Sequence, residues 1–170
     1  MILVSLHVTQ EEFPNFESEI SFLFPKYTLT TKENPNIKFK VVSIQEYPTM
    51  SDSNIPILTP ISIHQMIDKN INVSKFVFPL HGFINLHLYQ RKIAFSGFGS
   101  SKQKLKDMAS RMGAIVEPNI SKKTSLLVSK TLKSDMAQYA LRYNIPIVQD
   151  KFIFDLFESK EILNEDNYKL

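Results

Sequence analysis

The chain has 170 residues, 43% hydrophobic and 22% charged, with a formal net charge of +3, a balance close to that of an average globular chain and sufficient for a real core. It has no cysteine, which excludes disulfides, thiolate metal sites and cysteine nucleophiles. No apolar run reaches the ~20 residues of a membrane helix, and the first residues lack the basic region and cleavage site of a signal peptide, so a soluble, intracellular chain is expected. His7, His64, His81 and His87 fall at no recognisable ligand spacing, and no metal or cofactor is expected.

Along the chain, Ile2 to His7 reads as a first strand. Phe13, Phe16, Ile20, Leu23 and Phe24 follow at roughly helical spacing, with Pro14 interrupting the start of that helix. "KFKVVS" (38–43) is a second apolar strand. The next stretch, "IQEYPTMSDSN" (44–54), is polar and Pro-interrupted and does not read as a helix. "IPIL" (55–58) is a strand leading into an amphipathic helix to residue 70. Residues 71–90, "INVSKFVFPLHGFINLHLYQ", are too apolar for a flexible linker. They are expected to pack, with Phe76, Phe78, Phe83, Leu86, Leu88 and Tyr89 either forming a seam between two units or completing the core of the second.

The second half reads more sharply. Arg91 to Phe95 is a strand, and Ser100 or Ser101 can cap a helix with Leu105, Met108, Ala109 and Met112 inward. Gly113 stands where a helix end needs a left-handed residue. Ala114 to Val116 and Ser125 to Val128 are the next strands. Ser134 or Asp135 caps a helix with Ala137, Ala140 and Leu141 inward. "IPIV" (145–148) is the last strand, and Asp150 caps a closing helix that buries Phe152, Ile153, Leu156 and Phe157. Short apolar strands alternating with amphipathic helices imply a mainly parallel sheet with helices on both faces.

The halves repeat. "IPILTPISIHQMIDKN" (55–70) matches "IPIVQDKFIFDLFESK" (145–160), and "KFKVVS" matches "TSLLVS" (124–129). Charge does not repeat: residues 91–133 hold ten basic and two acidic side chains, a net of +8. So concentrated a field favours an anionic partner.

The run I-A-F-S-G-F, a helix ending M-G-A, the strand S-K-K-T-S-L-L-V, a helix with A-x-x-A-L, I-P-I-V and a closing amphipathic helix resemble the BRCT repeat, a module common in DNA-damage and replication proteins. The resemblance is good over about 91–168 and degenerate over 1–75. More narrowly it is similar to the first repeats of the Cut5/Rad4-like, topoisomerase-II-binding checkpoint scaffolds and of a BRCT-bearing exchange factor of cytokinesis. It implies an α/β fold of two units (1–75 and 91–170, with 76–90 packed between), each a small, mainly parallel four-stranded sheet flanked by helices, the first lacking its middle helix. The tryptophan usual early in the family's last helix is replaced by Phe152, and in the first repeat by Ser62.

The resemblance also implies a site. In repeats that read phosphorylated partners, a Ser or Thr followed by Gly at the end of the first strand, and a lysine at the start of the middle helix, hold the phosphate. Here Ser96 and Gly97 take the first role, the helix start at Ser134 adds oriented donors, and Lys102, Lys104 or Lys133 can supply the charge. Gly99 serves the turn. Met136 falls where the family's lysine stands, so Lys133 substitutes only if that helix starts sooner. Residues 1–81 contain no glycine, and no such site is expected in the first unit. The function implied is a non-enzymatic nuclear scaffold that docks a phosphorylated Ser/Thr motif of a checkpoint or replication protein. Two alternatives use no phosphopeptide: DNA binding by the basic surface, and a purely structural packing role. An enzyme is not expected, since the P-loop spacing and nucleophile motifs are absent.

Overall fold

The computed structural model describes residues 2–32, 34–46, 55–73, 78–79 and 81–170, which fall into two units, Met1–Leu86 and His87–Leu170. Among the described residues no helix is long and apolar enough to cross a membrane.

The first unit opens with β1 (Ile2–His7), α1 (Phe16–Leu23), β2 (Tyr27–Thr30) and β3 (Ile37–Val42). The helix starts at Phe16, with Asn15 in the cap position after Pro14, and Phe13 is buried from the turn that precedes it. Then come β4 (Ile57–Leu58), α2 (Pro60–Asp68) and β5 (Gly82–Phe83). All pair in parallel in the order β2-β1-β3-β4-β5. The sheet therefore has five strands where four are expected. The addition is β5, which fits beside β4 because its first residue has no side chain: Gly82 lies opposite Ile57 at φ +75°. Residues 44–46 form a turn, while the rest of the stretch expected to lack a helix, 47–54, lies outside the described residues, as does Phe76. Phe83 and Leu86 are buried in this unit and Leu88 in the next.

Ser62, where the family usually has tryptophan, is fully buried and has another task. It closes a capping box at the start of α2, its Oγ accepting from Thr59 N–H at 2.9 Å while Thr59 Oγ1 accepts from Ser62 N–H at 3.2 Å. Thr59 Oγ1 in turn donates to Ile84 O. This satisfies helix-start donors that would otherwise be orphaned in the core.

In the second unit β6 (Lys92–Ser96) leads through a 3-10 turn, Gly99–Ser101, into α3 (Lys102–Arg111), then β7 (Ile115–Val116), β8 (Leu126–Ser129), α4 (Asp135–Arg142), β9 (Ile147–Val148) and α5 (Asp150–Glu158). The sheet is parallel in the order β7-β6-β8-β9. Successive strand residues face opposite ways. Ala94 and Leu127 meet Ala137 and Ala140 of α4, which turns Ile93, Phe95 and Val128 toward the other face, where α3 and α5 pack together.

Several local expectations need correction. Ser101 does not cap α3; its hydroxyl donates to Phe98 O at 3.0 Å, and the 3-10 turn supplies the entry instead. Leu141 is not inward but 51% exposed, because α4 ends at the next residue and the two-residue β9 offers no further sheet to cover. The residue in the cap position of α5 is Gln149, with Asp150 its first helical residue. Gly113, at φ +84°, does end α3 as expected.

Phe152 is 1% exposed, and the ring of Tyr168 packs on it at 5.3 Å between centroids. Tyr168 belongs to a 3-10 turn, Glu165–Tyr168, that sends the tail along the outer edge of β9: Gln149 N–H donates to Tyr168 O at 2.9 Å and Leu170 N–H to Ile147 O at 3.1 Å. A free parallel edge is thereby covered. Arg91 pairs with Glu165 at one end of the turn. At the other, the Tyr168 hydroxyl donates to Asp155 Oδ2 at 2.8 Å, which Lys151 also reaches. The Lys151 contact and then the tyrosine hydroxyl hold the Asp155 carboxyl below its usual pKa; the bond to Asp155 raises Tyr168 above its own. A lowered carboxyl anchors the tail above its unfolded pKa and fails as pH falls through the folded value, and a raised phenol fails as pH rises past its folded value. Protection of the Gln149 and Leu170 amides against hydrogen exchange is expected to drop at both extremes, and Tyr168→Phe to lower it at neutral pH. A tyrosine bond without an anchoring role would leave those two amides unchanged in the variant.

Candidate functional site

In an open parallel sheet, ligands bind outside the carboxyl ends of the strands, where the chain's crossovers diverge. From β6 the chain crosses to β7 over one face by α3, and from β8 it crosses to β9 over the other by α4. The divergence point of the second unit therefore lies between the carboxyl ends of β6 and β8, where Ser96 pairs with Ser129.

Four sequence-predicted groups meet here. Ser96 is 6% exposed and lies on the α4 face of the sheet. Its hydroxyl donates to Ser134 Oγ at 2.9 Å, and Ser134, the N-cap of α4, accepts from Ala137 N–H at 3.2 Å. Gly97 follows at φ +83°, exposed, with no side chain over the crevice. Lys133 is exposed in the turn before the cap, its own N–H given to Thr131 Oγ1 at 3.1 Å. The helix does not start sooner, so Lys133 is not a helical residue replacing the family lysine. Met136, which holds that position, packs on the buried cluster of Ala94, Leu127 and Ala137.

The other two lysines belong to α3. Lys104 projects from α3, on the opposite face, with its ammonium 5.6 Å from the centre of the Phe154 ring. Lys102 opens the same helix, half-buried.

Sequence reasoning missed Lys130. It follows β8 directly, its N–H donating to Ser96 O at 3.2 Å. Its Cβ lies 3.3 Å from where a Cβ on Gly97 would stand. The side chain is exposed. Lys130 is one of ten cations in the basic run, and only the register of β6 on β8 distinguishes it from the others. The carboxyl ends of β6 and β8 thus gather two hydroxyls, a bare glycine and a helix start, with two exposed lysines in the adjoining turn, a set of donors and positive charge suited to a multivalent oxyanion. Among the described residues no group of His, Asp and Glu is placed to hold a metal ion.

The family model for the BRCA1 C Terminus (BRCT) domain matches residues 86–157. No curated protein matches. Among solved structures, the likeness to yeast Rtt107 and Slx4 has a TM-score of 0.50 at 12% identity and covers 96% of this chain and 42% of that one. Rad4 BRCT1,2 in complex with a Crb2 phosphopeptide gives 0.48 at 11%, with 100% and 97% covered. S. pombe Rad4 BRCT3,4 gives 0.45 at 15%, with 99% and 97% covered. The BRCT family model thus matches most of the second unit, and the two parallel α/β units fit tandem BRCT repeats.

Proposed function

We propose that the second unit is a phosphopeptide-docking module: a non-enzymatic scaffold element that takes a phosphorylated Ser or Thr of a partner into the crevice between β6 and β8. The observation that carries this reading is the meeting of Ser96, Gly97 and the Ser134 cap at the carboxyl ends of the two central strands. A phosphate dianion needs several short donors and nearby positive charge, and loses little by leaving water if it finds them. BRCT domains are common in DNA-damage and replication proteins, so a nuclear checkpoint or replication protein is the partner class this reading favours. An array of phosphoserine and phosphothreonine peptides is expected to yield a binder whose affinity for the full chain drops at least about tenfold on phosphatase treatment. Equal affinity for both forms of every binder would remove the reading.

A second reading has its own observation. Among the described residues Lys102, Lys106, Lys122, Lys123, Lys130 and Lys133 form no salt bridge, so each can neutralise a phosphate of a nucleic-acid backbone. On that reading, affinity for duplex DNA falls steeply with salt, by roughly one power of the salt concentration per phosphate neutralised. Absence of binding at about 50 mM salt dismisses it.

A further inference from the structure

The outer edge of β9 is covered by the chain itself, and the way it is covered bears on a second copy of the chain. In the first unit the same place on the sheet, beside β4, is taken by β5. In the second it is taken by the segment 165–170, which lies antiparallel to β9 with Val148 opposite Lys169. Everything that holds this segment belongs to the second unit. Gln149 N–H donates to Tyr168 O and Leu170 N–H to Ile147 O, the Phe152 ring and the Asp155 carboxylate receive Tyr168, and the Arg91 guanidinium pairs with Glu165. The same segment from another molecule would find each of these groups in place, so exchange between copies breaks no contact that it does not remake.

The link that joins α5 to the segment is loosely built. Its start is anchored, His87 Nε2 donating to Ser159 O at 3.1 Å, and the Ser159 hydroxyl closes a short turn with Glu161. Lys160, Ile162 and Leu163 then make no hydrogen bond or ion pair among the described residues. Asn164 bonds only forward, its Oδ1 accepting from Asp166 N–H at 2.9 Å and its carbonyl from Asn167 N–H at 3.3 Å. The six residue steps from Ser159 to Glu165 reach about 20 Å when extended, more than the ~14 Å across a four-stranded sheet. The midpoint of the link is Ile162, 73% exposed and the most exposed large apolar side chain among the described residues. When two copies exchange segments reciprocally, their links are related by a two-fold axis and pass each other at their midpoints. Each Ile162 then meets its counterpart and leaves water.

We propose that the outer edge of β9 is a self-association surface whose occupant is the 165–170 segment of a second copy, exchanged reciprocally with the two Ile162 side chains packed at the axis. The surface lies on the outer strand, apart from the crevice between β6 and β8, and does not depend on the phosphopeptide reading. A dimer so formed carries every second-unit site twice, which raises avidity for a partner with two motifs.

The chain has no cysteine, so a pair of introduced thiols reports one contact only. Val148 and Lys169 sit opposite each other between the two main-chain bonds, a pairing whose Cα atoms lie about 4.5 Å apart, within reach of a disulfide. The full chain carrying both Val148→Cys and Lys169→Cys should close on itself in dilute solution in a glutathione buffer. The two single variants are then mixed in equal amounts at about 1 mM, the effective concentration that a short tether gives the segment in its own chain. At least about a tenth of the chains should form a covalent heterodimer joined through positions 148 and 169. Adding Ile162→Lys to both sets like charges at the axis, and should cut that yield at least about fivefold while self-closure of the double variant is unchanged. Self-closure without heterodimer means that the segment stays in its own chain, and overturns the proposal. So does a yield that Ile162→Lys leaves within about twofold, or one matched by dimers joined through two like positions, which is random collision. A double variant that does not close removes the docked segment, and the exchange with it.

Discussion

Gly82→Ala is expected to dismantle the inner part of the first unit. A Cβ at residue 82 would stand 2.0 Å from Ile57 O and 2.3 Å from Ile57 N, distances that no rotamer relieves because both atoms are backbone. The φ of +75° adds a strain that alanine does not share with glycine. The strand pair Ile57–Gly82 and Leu58–Phe83 must then open. With it goes the burial of Phe83, Ile84 and Leu86, and the Phe78–Phe83 ring contact at 5.8 Å. Exposing even two such side chains costs about 3–6 kcal/mol, a large share of the ~5–15 kcal/mol that holds a domain together. Hydrogen-exchange mass spectrometry is the suitable check, with protection lost over 55–58 and 81–86 and retained over 135–142. A variant that exchanges like the parent at 81–86 would mean that β5 is not held as described.

The contrast between Gly82 and the second-unit glycines explains what the sequence made legible. A cap followed by a helical apolar period is a local signal, and Ser134 with Ala137 and Ala140 was readable from seven consecutive residues. So was the strand ending in Ser96-Gly97. Leu141 misled because a period of four counts it with Ala137, while the sheet beneath it has already ended at Val148. β5 was invisible because its two residues lie inside the largely apolar run 71–90, which shows no alternation to mark a strand. Ser62 looked like a defect at a tryptophan position until the capping box gave it partners 25 residues away through Thr59 and Ile84. The candidate site divides on the same line. Its hydroxyls and glycine are strand-end and helix-start residues, whereas Lys130 comes beside Gly97 only through the pairing of strands 33 positions apart, Ser96 on Ser129. Parallel register of that kind is decided by the packing of both sheet faces rather than by any local run.

The anion cradle itself can be challenged by giving the chain its own anion. Gly97→Asp places a carboxylate at the mouth of the crevice, on a backbone position that aspartate tolerates better than most residues because it visits positive φ. The added Cβ would stand 3.3 Å from the Cβ of Lys130, a side chain that can shift by the few tenths of an ångström required. The cost to stability is about 1–2 kcal/mol, a fall of roughly 4–16 °C in Tm for a unit of this size. The effect on binding is far larger. A tethered carboxylate is present at an effective concentration in the millimolar range, and under the proposed function it competes with the phosphate for nearby positive charge and repels the dianion that remains in solution. Phosphopeptide affinity is expected to fall by about 30-fold or more. Gly97→Ala is the necessary companion, since it imposes a φ penalty at least as large without the charge and should keep affinity within about threefold. Equal losses in the two variants would assign the effect to the backbone, and an unaffected Gly97→Asp would place the phosphate somewhere other than beside Gly97. Affinity lost with aspartate and kept with alanine isolates electrostatics as the force that holds the partner.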